Sequence, residues 1–462
     1  MIRGVRAFLR FLVMLVVLAV LGAGGAWFWA GRQPGPTVDV RQPLKFVGQA
    51  GTLDLMLEAP GGVLSGATAT LEQGGTTHTV LELEPDDRAG TDPDAANRLY
   101  VSRPLGKRGI PELVSGPARL TVRAARPVLF GLRQVETVVT RDVEVRLEPP
   151  RLAVLSMFHY INHGGSEVVV YRVQPEDVRS GVRVGDLEYT GYPARGAGIS
   201  TDPALRIAFF ALLFDQPVDA PVQVFARDEA GNQTVAPLEH QVFPKTYQQS
   251  RIEIDDRFLQ RVVPAIAANS PEEDIPADDV LAGFLAINGE MRRKNNQYLR
   301  ELAAKSSPRL MFTDAFQQLG SSQVEAKFAD SRTYFYNGKE IDRQVHLGFD
   351  LAVTANVPIV AAQRGVIVHA ANLGIYGNCV VIDHGMGIQS LYGHLSSIEV
   401  MVGDAVEKGR QIGRSGMTGL AAGDHLHFTM LVGGEQVTPV DWWSAQWMQD
   451  RVRRKIAAAG GS

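Results

Sequence analysis

Twenty consecutive residues, Phe11 to Ala30, carry no charge and read FLVMLVVLAVLGAGGAWFWA. At about 1.5 Å per residue, a helix of that length spans roughly 30 Å, the hydrocarbon thickness of a bilayer. Arg3, Arg6 and Arg10 precede the stretch, and only Arg32 follows closely. The positive-inside rule then keeps the short N-terminus in the cytoplasm and puts everything after residue 32 outside. Trp27, Phe28 and Trp29 fall where an aromatic interface belt would lie. A cleaved signal peptide, with Gly24-Gly25-Ala26 as its small-residue site, is the competing reading. The length of the stretch and its aromatic end favour an uncleaved anchor. Under either reading the body of the chain is exported. The expected location is the cytoplasmic membrane, single-pass, with the C-terminal bulk in the periplasm.

The chain as a whole is globular in composition, 45% hydrophobic and 21% charged, which excludes wholesale disorder and a many-span membrane protein. Lys+Arg 46 against Asp+Glu 50 gives a net charge of −4 with no basic stripe, so nucleic acid is not an expected partner. The single cysteine, Cys379, excludes an intramolecular disulfide and a cysteine-cluster metal site. With Gly 47 and Pro 25 the chain is rich in turns, and many short strands are expected.

The expected fold is mainly β. Residues 1–32 form the cytoplasmic tip and transmembrane signal anchor, followed by the stiff linker Gln33-Pro34-Gly35-Pro36. Residues 40–150 alternate with period two, as in Thr52-Leu53-Asp54-Leu55-Met56-Leu57 and Val143-Glu144-Val145-Arg146-Leu147, and read as a β-sandwich. Residues 151–250 read as a second, immunoglobulin-like β domain containing Val168-Val169-Val170-Tyr171. Two sandwiches or one interrupted sandwich both fit the pattern. Residues 251–310 read as a helical linker. There Asp278-Asp279 can cap a helix whose Val280, Leu281, Phe284, Leu285 and Ile287 share a face. Its charged run Arg292-Arg293-Lys294 reads as a solvated face, with contact to an anionic wall polymer as the alternative. Strands return over 311–445. Residues 446–462 form a C-terminal helix and tail, packed back by Trp442, Trp443 and Trp447.

Six of the ten histidines (His346, His369, His384, His394, His425 and His427) fall between residues 346 and 427. An even spread would put about two there. His346-Leu347-Gly348-Phe349-Asp350 offers a nitrogen and a carboxylate four apart, with Gly348 permitting an irregular backbone. His425-Leu426-His427-Phe428 offers two imidazoles two apart, which share one face of a strand. Two imidazoles and one carboxylate around zinc leave a fourth position for water, the open coordination of a catalytic site. A 2+ ion with one carboxylate remains a net-positive Lewis acid.

These pieces resemble the LytM, or lysostaphin-like, zinc metallopeptidase family that cuts peptide bonds in bacterial peptidoglycan. The matching runs are VHLGFDLA (345–352), VPIVAAQRGVIV (357–368), YGNCVVIDHGMGIQSLYGHLS (376–396), VGDAVEKGRQIGRSGMTG (402–419) and GDHLHF (423–428). Their order and spacing match over roughly the last quarter of the chain. The resemblance implies a LytM-type antiparallel β peptidase domain at 311–445, with Zn2+ held by His346, Asp350 and His427. It implies His394 and His425 as unliganded catalytic histidines, one or both acting as general base. Peptidoglycan peptides would be the substrate. The β domains would serve as spacer or as a docking arm for an envelope protein. One departure concerns the rim: a Ser-Thr-Gly-Pro run common before the HLHF segment is replaced by Leu420-Ala421-Ala422-Gly423-Asp424. Another is Thr429 where a glutamate often follows the phenylalanine of that segment.

Blander readings fit the other candidates. His384 holds a turn, His369 is structural, and Cys379 in the apolar run Cys-Val-Val-Ile is a buried small hydrophobe. His159 and His163 are four apart, but Gly164-Gly165 follows and the setting is β rather than a zinc helix. Two alternatives to the enzyme stand beside it. One is a non-catalytic wall-binding or amidase-activating module on the same fold. The other is a biotinyl- or lipoyl-carrier-like barrel, to which the run Val402 to Gly409 is similar. The carrier lacks its Met-Lys setting, and all five His/Asp positions of the peptidase pattern are filled.

Overall fold

The strand Thr52–Glu58 buries Leu53, Leu55 and Leu57 and leaves the residues between them at least partly open. Period-two patterning of this kind sets which face of each strand turns inward throughout the first β region. The computed structural model describes residues 2–60, 63–84, 98–276, 278–352 and 354–460. Strands hold 44% of the chain and helices 20%, so the chain is mainly β as its sequence indicates. It divides into two compact units, residues 1–149 with 227–233, and residues 150–226 with 234–462.

The first unit begins with helix α1 (Ile2–Ala30). Its 25 residues Arg6–Ala30 are long and apolar enough to cross a membrane, and the most apolar window among them is not buried against the protein. A five-stranded sheet runs in the order Phe46–Val47, Arg133–Val145, Gly116–Val128, Gly66–Gln73, Thr76–Leu83. A three-stranded sheet joins Thr37–Gln42, Thr52–Glu58 and Arg98–Pro104. One apolar cluster draws Leu53, Leu55, Leu57 and Val101 from the smaller sheet and Leu71, Leu120 and Val122 from the larger. Two sheets sharing one core make a sandwich.

The second unit is organised by an eight-stranded antiparallel sheet. Its path is Gln323–Ala326, Phe349–Ala352, His425–Val432, Ile388–Leu395, Asn378–Gly385, Gly365–Asn372, Ala405–Val406, with Glu435–Val437 added beside His425–Val432. The sheet is covered on both faces, which is why the run Cys379-Val380-Val381-Ile382 is apolar without interruption. Val380 and Ile382 enter one core, while Cys379 and Val381 enter another.

The first of these cores is shared with the four-stranded sheet Tyr192–Pro193, Leu205–Ala211, Ser166–Gln174, Arg151–Val154. Phe209 lies 6.0 Å from Trp442 and 6.1 Å from Phe312, ring to ring. The Trp442 indole N–H donates to the Ser166 hydroxyl at 3.0 Å. Lys455, near the C-terminus, pairs with the buried Glu167 at 2.8 Å.

Helices build the second core. Helix α2 (Asp256–Asn269) is capped by Asp255, which accepts from the Phe258 N–H. Helix α3 (Val280–Ala286) is capped by Asp279, which accepts from Leu281 and Ala282. A π-helical turn, Ile287–Met291, leads directly into α4 (Arg292–Ala303). Leu259, Val263, Phe284, Ile287 and Leu299 pack with Ile375, Val381, Leu391 and Leu431 of the sheet side. Leu285, expected on the same face, is 37% exposed, because one residue past Phe284 turns it about 100° away.

His384 is wholly buried within the strand Asn378–Gly385. Its Nδ1–H donates to the Arg364 carbonyl at 2.7 Å, and Nε2 accepts from the Ser390 hydroxyl at 2.8 Å. Burial pushes its pKa down to about 4. The unfolded chain therefore takes up a proton near pH 6.5 that the folded chain refuses until about pH 4. Stability contributed by this neutral ring is fully present above pH 6.5 and falls by up to about 3 kcal/mol as pH drops toward 4. In urea titrations of detergent-solubilised protein, wild type should lose more stability between pH 7 and 4.5 than His384→Gln. Equal losses would contradict the assignment.

Candidate metal centre

Strand Phe349–Ala352 pairs antiparallel with His425–Val432 in the register that sets Asp350 opposite His427. On the other side of the same strand, His427 lies opposite Gly393, the neighbour of His394. His346 ends the strand Lys339–His346, and the two residues Leu347-Gly348 carry the chain on to Phe349. Four strand segments thus bring all five sequence-singled side chains to one place, and all five are buried.

His346 Nε2 lies 2.9 Å from Asp350 Oδ1 and 3.1 Å from His427 Nδ1, and His427 Nδ1 lies 3.0 Å from Asp350 Oδ1. His346 Nδ1–H donates to the Lys327 carbonyl at 3.0 Å, so in the neutral ring Nε2 is a lone pair. A lone pair, a carboxylate oxygen and a second imidazole nitrogen then converge. One proton can bridge two of them but not all three. A divalent cation satisfies all three at once. Ligands held about 2.0–2.1 Å from zinc in a tetrahedron stand about 3.3 Å apart, close to the separations found. The donor set therefore fits zinc, with one corner left open.

Gly348 makes the convergence possible. A Cβ at this position would lie 2.5 Å from both Cε1 and Nε2 of His427. The need is for close approach of backbone to ring, rather than the irregular backbone expected from sequence. Arg332 donates from Nη2 to Asp350 Oδ2 at 3.3 Å and from Nε to Asp330 at 3.3 Å. This occupies the second carboxylate oxygen and leaves Oδ1 to face the imidazoles.

His394 and His425 flank the cluster, with ring centres 4.8 Å apart. His394 Nδ1–H donates to the Thr418 carbonyl at 2.8 Å, and His425 Nδ1–H to the Gly423 carbonyl at 2.9 Å. His425 Nε2 comes within 3.4 Å of Asp350 Oδ1. His394 adopts φ 64°, a left-handed backbone that costs a non-glycine residue about 1 kcal/mol or more. Burial opposes the Asp350 charge, but His346, His425 and His427 hold its carboxyl well below the usual range. Burial, then the neighbouring His425 and His427, holds His394 well below the ordinary imidazole value. Burial also lowers His427, to about 4. At His425 burial is outweighed by Asp350, and the pKa is raised.

These groups line a cavity of about 400 Å³. Its walls include Tyr376, whose ring lies 5.5 Å from His427, and Phe258, Phe284 and Arg292 from the helical segment. The rim Leu420–Gly423 is tied to α2 by Arg261, which donates to the Ala421 carbonyl at 2.8 Å. The remaining histidines lie elsewhere. His159 bonds Ser156 and the Glu239 carbonyl, His163 the Gln216 carbonyl, and His369 Tyr298 and the Ala371 carbonyl. Cys379 is free and buried. Sequence reasoning missed Arg332 and Arg292 as wall residues. Arg332 stands in a strand without any motif, and Arg292 carried a signal only as part of a charged run.

The family model for peptidase family M23 matches residues 344–439. Those residues are an M23 peptidase domain. Over 97 residues the chain is 39% identical to the DD-carboxypeptidase/endopeptidase Mpg of Neisseria meningitidis serogroup B, covering 21% of this chain and 22% of that one. Over 92 residues it is 41% identical to the peptidoglycan DD-endopeptidase ShyA of Vibrio cholerae, covering 20% and 21%. The catalytic domain of the antimicrobial peptidase lysostaphin from Staphylococcus simulans is a structural neighbour. It is 28% identical with a TM-score of 0.21, covering 32% of this chain and 96% of that one. The chain thus spans about a fifth of the length of the curated relatives it matches.

Gly348→Ala tests the packing of the candidate metal centre. The added methyl displaces the His427 ring, so zinc affinity should fall by about 10–100-fold while circular dichroism stays unchanged. Full zinc occupancy at wild-type affinity would show that the close approach is not needed.

Proposed function

We propose that this protein is a membrane-anchored zinc metalloendopeptidase that hydrolyses peptide bonds in bacterial peptidoglycan. The observation that carries the reading is the meeting of His346 Nε2, Asp350 Oδ1 and His427 Nδ1 within 3.1 Å of one another. These three atoms would hold the ion. The M23 domain supplies the family context, and the relatives named for peptidoglycan and DD-peptide cleavage supply the substrate class. Helix α1 would hold the chain at the cytoplasmic membrane, with the bulk in the periplasm.

The chemistry zinc supplies when bound is Lewis acidity toward a peptide carbonyl and toward water. His394 and His425 handle protons. Each spends Nδ1–H on a main-chain carbonyl, which orients the ring and leaves Nε2 for the cavity. One ring takes the proton from the attacking water and returns it to the departing amine. The other, once protonated, sits beside the developing negative charge. The apolar walls Phe258 and Phe284 limit water around the reacting peptide.

His346→Ala and Asp350→Ala should lose both bound zinc and release of muropeptides from purified peptidoglycan. His394→Ala and His425→Ala should keep zinc while turnover falls by about 10²–10⁴-fold. A chelator should abolish activity and added zinc restore it. Undiminished digestion by His346→Ala would refute the proposal.

A further inference from the structure

We propose that Arg292 is a carboxylate anchor, and that the site takes peptides carrying a free carboxylate next to the bond to be cut. The proposal rests on the peptidase reading and adds to it the charge of the substrate. Arg292 lines the same cavity as His346, Asp350, His394, His425 and His427. Its guanidinium is held along one edge. Nε donates to the Asn288 carbonyl at 3.2 Å and Nη2 to Asn288 Oδ1 at 2.6 Å. Asn288 is wholly buried and fixed in turn by its bond to Asp342 at 2.7 Å. The other edge has no acceptor among the described residues.

A half-buried guanidinium without a counter-charge is costly, and a carboxylate is the group that matches its paired donors. The acidic groups of the cavity do not serve. Asp350 is taken by Arg332, Asp255 by the cap of α2, and Glu253 pairs with Arg251. Glu325 is exposed and makes no ion pair with Arg292.

Position is fixed as well as charge. The π-helical turn Ile287–Met291 immediately precedes Arg292 and sets the direction in which α4 starts. Such turns are over-represented at functional sites. Asn295, on the same helix, accepts from the Ile375 N–H at 3.1 Å. A Cβ on Gly374 would lie 2.7 Å from both Asn295 Oδ1 and Met291 Sδ. The helix is thus seated against Gly374–Tyr376, and Tyr376 touches His427. The neighbours Arg293 and Lys294 are exposed, and Lys294 pairs with Glu273. Only the first member of the charged run turns toward the metal centre.

The test compares a pentapeptide ending in D-Ala-D-Ala as its C-terminal acid and as its C-terminal amide. Binding is read by titration calorimetry on the full chain in detergent, with chelator present so that neither peptide is cut. Wild type should bind the acid about 10–100-fold more tightly than the amide. Arg292→Gln should lose that preference and keep its affinity for the amide. Arg292→Lys should retain part of the preference, and Arg293→Gln all of it. Equal binding of both peptides by wild type overturns the anchor. So does a preference that survives Arg292→Gln, or an equal loss of both ligands in that variant. Hydrolysis by zinc-loaded wild type separates the two readings. Protein that prefers the acid but releases no muropeptides from purified peptidoglycan keeps the anchor and removes the peptidase. Protein that releases muropeptides but binds the acid and the amide equally does the reverse.

Discussion

The antiparallel pairing of Phe349–Ala352 with His425–Val432 is the constraint on which the site depends. It fixes Asp350 opposite His427, and side chains directly opposite in a sheet stand about 5 Å apart at Cβ. A slip of one residue would turn both groups to the other face. The slip is opposed by what lies between them. Leu426 and Phe428 fill the core on the face away from the cluster, and Phe428 stacks on Trp443 at 5.6 Å. The hydrophobic pattern of the strand therefore sets the geometry of the candidate metal centre. The buried polar groups are held in place by apolar neighbours.

A second layer of control is main-chain. Three of the four rings are oriented by carbonyls, those of Lys327, Thr418 and Gly423. Each of these carbonyls lies in a connection outside the strand that bears the ring it orients. Rigid strands place the rings, and the connections choose their tautomers. Such a division lets the rim change in sequence, as at Leu420-Ala421-Ala422, without disturbing the cluster.

The cluster was legible because its residues obey local rules: His425 and His427 share a strand face, and His346 and Asp350 flank a glycine. The two-faced burial of Cys379 to Ile382 was legible as an unbroken apolar run. Arg332 was not, since its partner Asp350 is brought to it by sheet pairing rather than by spacing. Arg292 was hidden for a related reason. A charged run on a helix looks uniformly solvated until the helix's resting place is known. The π-helical turn before it leaves no compositional trace, because it changes hydrogen-bond register and not residue type.

The core that joins Phe209 and Tyr171 to Phe312, Phe316 and Trp442 has a consequence for modularity. The segment recognisable by family is residues 344–439, yet its hydrophobic interior continues into strands more than a hundred residues upstream. A chain severed near residue 311 would open that interior to water and strand Lys455 without Glu167. The boundary of inheritance in this chain is not the boundary of folding.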